Sequence, residues 1–282
     1  MSLPLLQNFL VEPLIKNALN EDLGLAGDIT SQLVIPENHH SKVFMVSRQH
    51  GILSGVQIAQ LTFQCVSKGC IFHSLKKDGE ALKPNEIIAT IEGPTRSLLT
   101  AERTALNFMC HLSGIASITN KIVQSIAHTK TKVVCTRKTT PGLRLLEKYA
   151  VRCGGGMNHR FALYDGILIK DNHIAVTGSV TKALKKVKKH SGHMVKIEIE
   201  VDTLEQLKEA LSVGVDVILL DNMSPEQLKE AVQMVNGKAI TEASGRINIQ
   251  SAAIIAESGV DFISVGWITH SAPIIDIGLD YL

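Results

Sequence analysis

Aromatic residues, paired cysteines and excess charge are all scarce in this sequence. Phe, Trp and Tyr make up 4% of the 282 residues. Lys and Arg number 29 against 27 Asp and Glu, and the net charge of +2 gives no indication of a nucleic-acid or acidic-membrane surface. The five cysteines are odd in number and scattered, so they predict neither a disulfide framework nor a C-x-x-C metal site. Reduced thiols in the cytoplasm are the simplest interpretation.

Long apolar runs are also lacking. No run reaches the ~18 residues that a membrane-spanning helix needs, and the opening MSLPLLQNFLVEP lacks the basic region and the cleavage site of a secretory signal. We therefore expect a cytoplasmic protein with neither a membrane nor a nucleic-acid partner. The length leaves room for one large α/β domain or two smaller ones, each with a sizeable core.

The first third of the chain does not alternate regularly between strands and helices. Strand patterns at residues 71–75 and 87–91 follow a helical pattern at 55–68, which predicts an α+β domain. A further helix is predicted over residues 100–113, with Thr100 as its cap. Arg103 lies in its first turn, either as a surface residue or as an anion contact, and periodicity alone favours the surface.

From about Lys132 onward, short apolar runs recur and each is followed by a helical pattern. Repeated β-α units predict a parallel sheet, and this many in ~140 residues predict a closed or nearly closed barrel. The predicted strands are residues 133–136, 166–169, 197–201, 217–220, 239–241 and 262–265.

Each of these strands ends in charged or small residues. A barrel that needs only stability does not require a charged group at each strand end, and burying so many would be costly. The pattern therefore predicts a polar mouth at the carboxyl ends of the strands. The residues concerned are Arg137 and Lys138, Lys170, Glu198 and Glu200, Asp221 and Asn222, Glu242 with Ser244 and Gly245, and Gly266 followed by His270.

The stretch that organises the chain runs from Glu147 to His173. A helix with Glu147, Lys148 and Arg152 interleaved among apolar residues is stopped by Gly154, Gly155 and Gly156, because glycine loses much conformational freedom in a helix and adopts positive φ freely. Asn158, His159 and Arg160 follow, and none of them is needed to stop a helix. Lys170 then comes directly after an apolar strand, where α/β proteins place their chemistry.

The mouth is predicted to bind an anion with several charges. Arg137, Lys138, Arg160 and Lys170, with His159, form a cationic cluster in which each charge-assisted hydrogen bond contributes ~1.5–3 kcal/mol. Glu200 and Asp221 could hold Mg²⁺ directly or through water, or accept hydrogen bonds from sugar hydroxyls. Two chemistries fit. Lys170 could form a Schiff base with a carbonyl substrate, or the cations could hold anions during transfer at a sugar carbon, which also accounts for the carboxylates and glycine turns.

A set of longer motifs resembles the quinolinate phosphoribosyltransferases, the carboxylating nicotinate-nucleotide pyrophosphorylases. The motifs span nearly the whole chain, in order. They are EDLG at Glu21, GDIT at Gly27, TAERTALNFMCHLSGIAS at Thr100, TRKTTPGLR at Thr136, EKYAVRCGGGMNHR at Glu147, DGILIKDNH at Asp165, EIEVDTLEQ at Glu198, LLDNM at Leu219, EASG at Glu242 and VDFISVGWITHSAP at Val260.

The resemblance implies a fold and a reaction. The fold is α/β: an N-terminal α+β sandwich domain (residues 1–114), to which the tail 273–282 returns, followed by an incomplete parallel α/β barrel (115–272) that carries the active site. The reaction joins quinolinate to phosphoribosyl pyrophosphate with Mg²⁺ and gives nicotinate mononucleotide, pyrophosphate and CO₂. The alternatives are a paralogous transferase for another aromatic acid, a Schiff-base lyase using Lys170, and a catalytically dead barrel that acts as a scaffold.

The resemblance also assigns roles to residues. It places Arg103, Arg137, His159, Arg160 and Lys170 around the two quinolinate carboxylates, with Arg103 reaching across the interface of a homodimer. It assigns Lys138 to the pyrophosphate, Glu200 and Asp221 to the ribose hydroxyls and Mg²⁺, and Ser244, Gly245, Gly266 and His270 to the 5′-phosphate. Thr136, Arg246 and Val265 complete the expected substrate contacts. Arg137, Lys138, Lys170, Glu200 and Asp221 are the expected catalytic residues.

One position departs from the family pattern. Two glycines usually follow the serine of the EASG motif, but here Arg246 follows Gly245. If this turn needs a positive φ, Arg246 is strained there. If it does not, the guanidinium could add a phosphate contact.

Overall fold

The computed structural model describes Leu3 and residues 6–281, which form two compact units. The first comprises the described residues through Asn120, Thr139–Gly155 and the residues from Ile268 onward. The second comprises Lys121–Lys138 and Gly156–Trp267. The domain boundary between residues 114 and 115 remains a proposal.

The secondary structure of the described residues follows in chain order. The elements are α1 (Asn8–Leu23), α2 (Ile29–Val34), β1 (His40–Ser47), β2 (Gly51–Ile52), α3 (Val56–Val66), β3 (Ile71–Ser74), β4 (Ala81–Leu82), β5 (Ile87–Pro94), α4 (Thr95–Ser125), β6 (Lys132–Val134), α5 (Arg144–Cys153), β7 (Ile167–Ile169), α6 (Asp171–Thr177), α7 (Val180–His190), β8 (Ile197–Val201), α8 (Leu204–Val213), β9 (Val217–Asp221), α9 (Pro225–Val235), β10 (Ile240–Ser244), α10 (Ile249–Ala256), β11 (Phe262–Ser264), α11 (Trp267–His270) and β12 (Ile277–Asp280).

The first unit is built on an antiparallel sheet in the order β12-β1-β5-β3. The C-terminal strand β12 pairs with β1, with Phe44 opposite Asp280. Alternate residues of β1 and β5 point into a core, where Met45 and Ile91 pack with Phe63 of α3 and Leu106 of α4. Hydrophobic burial on one face of this sheet is therefore what holds the unit together.

Helix α4 is longer than its sequence pattern suggests. The predicted helix over residues 100–113 extends in the structure from Thr95 to Ser125. The prediction that Thr100 caps it is wrong, because Thr100 Oγ1 donates to the Arg96 carbonyl at 2.7 Å within the helix. Gly114 does not end the helix. A Cβ atom at Gly114 would overlap the Pro273 carbonyl, so glycine here permits a close approach of two backbones.

Helix α5 buries charged residues that its sequence pattern places between the apolar ones. Glu147 and Lys148 are both fully buried. Glu147 has its partners within the first unit, since Oε1 lies 2.9 Å from His111 Nε2 and Oε2 accepts a hydrogen bond from the Thr140 backbone at 3.1 Å. These contacts supply the compensation that a buried carboxylate needs, and no apolar periodicity could reveal them.

The second unit contains a parallel sheet in the order β6-β11-β10-β9-β8-β7. All six predicted strands of this sheet are confirmed. From β7 to β11 the strands lie side by side in chain order, and β6 lies next to β11. Strands β6 and β7 are therefore the two edges of the sheet. Of the described residues, Val134 and Met157 form a single parallel bridge beside β6. The sheet is therefore an incomplete α/β barrel, as predicted.

Side-chain alternation along these strands divides core from cavity. Ile199, Leu220 and Ala243 are buried, whereas the neighbouring Glu200 and Asp221 point to the opposite face and line a cavity. The two-residue period explains how one strand can supply both core packing and a polar wall.

A candidate active site at the mouth of the barrel

A cavity of about 410 Å³ opens at the carboxyl ends of the barrel strands, and all its lining residues belong to the second unit. Its volume suits a small-molecule ligand. The structure brings nine of the predicted site residues together here, with Leu168, Leu219, Glu242 and Ser264. The nine are Thr136, Arg137, Lys138, His159, Arg160, Lys170, Glu200, Asp221 and Ser244.

Lys170 and Glu200 form an ion pair in this wall. Lys170 follows β7 and Glu200 lies within β8, and these two strands are hydrogen-bonded neighbours. Lys170 Nζ lies 3.1 Å from Glu200 Oε2. Burial raises the pKa of the Glu200 carboxyl, the Lys170 ammonium opposes that shift, and the charge on Asp221 adds to it. The pair therefore supplies one cation and one carboxylate in fixed relation.

Asp221 and Ser244 end β9 and β10 at the same level. The Asn222 side chain donates to Asp221 Oδ2, and the Asn222 backbone donates to the Ser244 carbonyl at 2.9 Å. Gly245 has φ +114° and packs so closely on Asn222 that a Cβ would overlap it. Glycine is thus required at 245 for both its backbone conformation and its lack of a side chain.

Gly266 has a similar packing role beside the end of β6. A Cβ at Gly266 would lie 3.0 Å from Lys138 Cδ and 3.3 Å from Thr136 Oγ1. Thr136 Oγ1 also accepts the Lys138 backbone hydrogen bond at 3.0 Å. Val265 is buried and donates its backbone N–H to the Val134 carbonyl at 2.9 Å. These contacts fix the chain around Lys138.

Arg246 adopts φ +47° and its side chain is exposed. The positive φ considered from the sequence is therefore present, and a non-glycine residue is strained in this conformation. Gly245 and Arg246 belong to the turn between β10 and α10, at the end of the strand that supplies Ser244 to the cavity.

Glu198 and Glu242, which the sequence places in the polar mouth without a substrate role, surround His159. Its Nε2 lies 2.9 Å from Glu198 Oε2 and 3.8 Å from Glu242 Oε1. Its Nδ1 accepts the backbone N–H of Arg160 at 2.8 Å. A sequence signal for Glu198 did exist, since it lies two residues before Glu200 on the same strand face.

Arg160 is fixed by a contact to the next segment of chain. Its Nη1 donates to the Gly166 carbonyl at 2.7 Å. Burial lowers the pKa of the Arg160 guanidinium, the charge on Arg137 lowers it further, and the carboxylates of Glu198 and Asp165 oppose both effects. The charges of Arg137 and Glu198 therefore both act on the Arg160 guanidinium, with opposite effects on its pKa.

Arg103 and His270 belong to the first unit and are not among the residues that line this cavity. Arg103 lines a separate cavity of about 440 Å³ in that unit, together with Glu21, Asp22 and His111. His270 ends α11 and its Nδ1 lies 2.7 Å from Ser271 Oγ.

The fold and the cavity define a class: a parallel α/β barrel with several cations and carboxylates at the carboxyl ends of its strands, suited to a small ligand with several negative charges. Comparison with known proteins gives the family. The family profile described as quinolinate phosphoribosyl transferase, N-terminal domain, matches residues 28–113, and that of the C-terminal domain matches residues 115–280. The chain belongs to the quinolinate phosphoribosyltransferase family.

Similarity to individual relatives extends over nearly the full length. A Bacillus subtilis protein named probable nicotinate-nucleotide pyrophosphorylase [carboxylating] is 44% identical, over 96% of this chain and 93% of its own. A Mycobacterium leprae protein named nicotinate-nucleotide pyrophosphorylase [carboxylating] is 45% identical, over 94% and 95%. The solved structure of nicotinate-nucleotide pyrophosphorylase from Francisella tularensis is 42% identical in sequence and has a TM-score of 0.95. The match covers 100% of this chain and 99% of that one.

None of the helices in the described part of the chain combines the length and the apolar character of a bilayer-spanning segment.

Proposed function

We propose that this protein transfers the phosphoribosyl group of phosphoribosyl pyrophosphate to quinolinate, with loss of CO₂, to give nicotinate mononucleotide and pyrophosphate. The main observation in support is the grouping of Arg137, Lys138, Arg160 and Lys170 in one cavity with the carboxylates of Glu200 and Asp221. Two negatively charged substrates call for several cations, and a ribose calls for carboxylate acceptors. The names of the relatives agree with this reaction.

In this proposal Arg137, Arg160 and Lys170 bind the two carboxylates of quinolinate, and Lys138 binds the pyrophosphate. Thr136 and Ser244 add hydroxyl contacts, and backbone N–H groups at Gly245 and Gly266 approach the 5′-phosphate, joined by the guanidinium of Arg246. No direct contact is assigned to His159, because both of its ring nitrogens have partners within the protein.

The reaction requires orientation and charge stabilisation more than a covalent nucleophile. The ring nitrogen of quinolinate forms a bond to C1 of the ribose as the bond from C1 to pyrophosphate breaks. Positive charge develops on the ribose, where the carboxylates of Glu200 and Asp221 stabilise it. The carboxylate beside the alkylated nitrogen then leaves as CO₂, and the electron pair left on the ring carbon is stabilised by the nitrogen cation until it takes up a proton.

Mg²⁺ is part of the proposal. Glu200 and Asp221 offer carboxylate oxygens, the hard donors that Mg²⁺ prefers, from the neighbouring strands β8 and β9. Since Glu200 is already paired with Lys170, we propose that the two carboxylates hold the ion directly or through water. When bound, Mg²⁺ supplies charge neutralisation at the pyrophosphate.

We also propose a cytoplasmic homodimer in which Arg103 of one protomer contributes to the site of its partner. Arg103 lines its own cavity in the first unit, which supports a role in binding beyond surface charge. The five cysteines are free thiols, as expected for a reducing compartment.

A second candidate is a paralogous transferase for another aromatic acid. Assaying mononucleotide formation from phosphoribosyl pyrophosphate with quinolinate and with nicotinate distinguishes the two. A site built for two carboxylates leaves cations unpaired when nicotinate, with one, is bound. We therefore expect quinolinate to be preferred by ~10⁴-fold in kcat/KM. Equal turnover of nicotinate would contradict the proposed substrate.

A further inference from the structure

The protonation state of His159 follows from its two hydrogen bonds. A backbone N–H can only donate, so the contact from Arg160 N to His159 Nδ1 at 2.8 Å makes Nδ1 an acceptor that carries no proton. The proton of the neutral ring is then on Nε2, which lies 2.9 Å from Glu198 Oε2 and donates to it. Both ring nitrogens are thus engaged within the protein, although the ring lines the cavity.

Glu198 and Glu242 cannot both be charged here at low cost. Their side chains are 10% and 6% exposed, and Oε1 of each is a buried atom without a hydrogen-bond partner in the described part of the chain. Two carboxylates beside one neutral imidazole repel each other. Burial, followed by the charge on Glu198, raises the pKa of Glu242 to about 7. Glu242 therefore binds a proton more readily than an ordinary carboxyl.

Glu198 also acts electrostatically on Arg160. Burial and the charge on Arg137 lower the pKa of the Arg160 guanidinium, and the carboxylate of Glu198 opposes both effects. Without this negative charge, the positive charge of Arg160 beside Arg137 would be less well compensated before substrate binds. Glu198 therefore acts as the counter-charge for the wall expected to bind quinolinate.

Glu198 lines a cavity other than the one proposed to bind substrate. His159, Arg160 and Glu242 line both the mouth cavity and a second cavity of about 330 Å³ in the same unit. Glu198 lines the second cavity and is absent from the described lining of the first. It therefore acts through His159 and the arginines, not by touching the substrate.

A metal ion is the obvious alternative for this cluster, because one ligand atom from each of His159, Glu198 and Glu242 lies within 4.8 Å of the others. A metal-bound histidine almost always donates from its other ring nitrogen. Here that nitrogen, Nδ1, accepts a backbone hydrogen bond and cannot donate. Metal at Nε2 would require a deprotonated ring, so the cluster does not suit one.

We propose that Glu198 and Glu242 are positioning residues for the substrate cavity. Glu198 accepts from His159 and holds it as the tautomer with its proton on Nε2, and its carboxylate offsets the positive charge of Arg160. Glu242 carries a proton, so that His159, Glu198 and Glu242 together have one net negative charge. The effect on substrate binding rests on the proposed function, whereas the state of the His159 ring does not.

The ring state can be measured on the unliganded wild-type protein. Long-range ¹H–¹⁵N NMR at neutral pH, with the His159 signals identified by their loss in His159→Gln, reports which nitrogen is protonated. We expect a protonated Nε2 and an unprotonated Nδ1, unchanged by added Zn²⁺. A doubly protonated ring, a proton on Nδ1, or a Zn²⁺-induced shift of these signals would overturn the proposal.

Matched glutamine variants test the two carboxyls. Glu242→Gln replaces the carboxyl by a neutral group of similar shape, as the protonated carboxyl already is in the proposal, so it should raise KM for quinolinate less than Glu198→Gln does. Glu198→Gln keeps the hydrogen-bond acceptor but removes the charge, and should raise KM for quinolinate by about 10- to 100-fold. KM for phosphoribosyl pyrophosphate should stay within about twofold, which a general loss of structure would not allow.

The outcomes of the two experiments are separable. Equal responses of the two glutamine variants, or equal changes in both KM values for Glu198→Gln, would overturn the positioning role. If Glu198→Gln does not fold, as judged by circular dichroism, the NMR measurement on wild type still decides the ring state on which the role depends. If the NMR result is as expected but the protein does not use quinolinate, the proposed function is contradicted and the inferred state of the His159 ring is not.

Discussion

Lys170 Nζ lies 3.1 Å from Glu200 Oε2, so the cation at the end of β7 is joined to a carboxylate of β8. A lysine that forms a Schiff base must lose its proton, and an adjacent carboxylate favours the charged ammonium. The ion pair therefore supports anion binding by Lys170 over the lyase alternative. It also fixes Glu200 beside Asp221, where a ribose and Mg²⁺ are proposed to bind.

The first prediction concerns Lys170. Replacing it with alanine removes a proposed contact to the substrate carboxylates and leaves Glu200 unpaired, so kcat/KM should fall by about 10- to 100-fold. Steady-state kinetics measure this. Lys185→Ala, on the exposed face of α7, is the matched control and should be unchanged. Borohydride trapping with carbonyl compounds should give no adduct with wild type; a covalent adduct at Lys170 would favour the lyase.

The second prediction concerns pH and Glu242. Since its pKa is raised from 4.5 to about 7, the native protein binds more protons than the unfolded chain between these values. The contribution of the Glu242 carboxyl to stability is therefore greatest near and below pH 4.5. It falls as pH rises from 4.5 through about 7 and is constant at higher pH. The free energy of unfolding of Glu242→Gln should thus rise relative to wild type from pH 4.5 to 7.

Denaturant unfolding of both proteins at several pH values measures this difference. Because all other titrating groups are shared, taking the difference isolates position 242. A difference that does not depend on pH would mean that Glu242 has an ordinary pKa in the folded protein.

The third prediction concerns Gly245. An alanine there would have to adopt φ +114° and overlap Asn222. Gly245→Ala should therefore destabilise the protein by more than the ~1–2 kcal/mol expected from backbone strain alone. Gly237→Ala is the control, since Gly237 also has positive φ but nothing within 4 Å of a Cβ. Equal losses of unfolding free energy in the two variants would show that the contact with Asn222 does not matter.

The fourth prediction concerns Arg246, whose φ of +47° suits glycine better than arginine. Arg246→Gly should stabilise the protein by about 1 kcal/mol through relief of strain. If the guanidinium contacts phosphate, the same change should raise KM for phosphoribosyl pyrophosphate by about tenfold. Arg246→Lys keeps a charge on the strained backbone and separates the two effects. A stabilised variant with unchanged KM would leave Arg246 without a role in binding.

The barrel was predictable because its signals are local. Each apolar run of the second unit corresponds to a strand, and polar residues such as Lys170 and Asp221 follow directly from strand ends. The full extent of α4 was not predictable, since Gly114 resembles a helix stop until the backbone near Pro273 is seen against it. The burial of Glu147 and Lys148 was not predictable either, because buried charges depend on partners distant in the sequence.

The candidate site was predictable in composition but not in its internal contacts. Strand ends supply Arg137, Lys170 and Glu200, and the resemblance supplied their roles. The engagement of both His159 nitrogens depends on the backbone of Arg160 and on Glu198, a geometry that no motif encodes. The sequence groups His159 with the substrate-binding cations, whereas in the structure both of its ring nitrogens contact groups of the protein.

The central claim is most directly tested by measuring pyrophosphate and CO₂ together, from quinolinate and phosphoribosyl pyrophosphate with Mg²⁺, for wild type, Arg137→Ala and Lys170→Ala. We predict that wild type releases the two products in equal amounts and that both variants lose them in parallel. Pyrophosphate without CO₂, or no product from quinolinate in a folded protein that still binds phosphoribosyl pyrophosphate, would contradict the proposed acceptor.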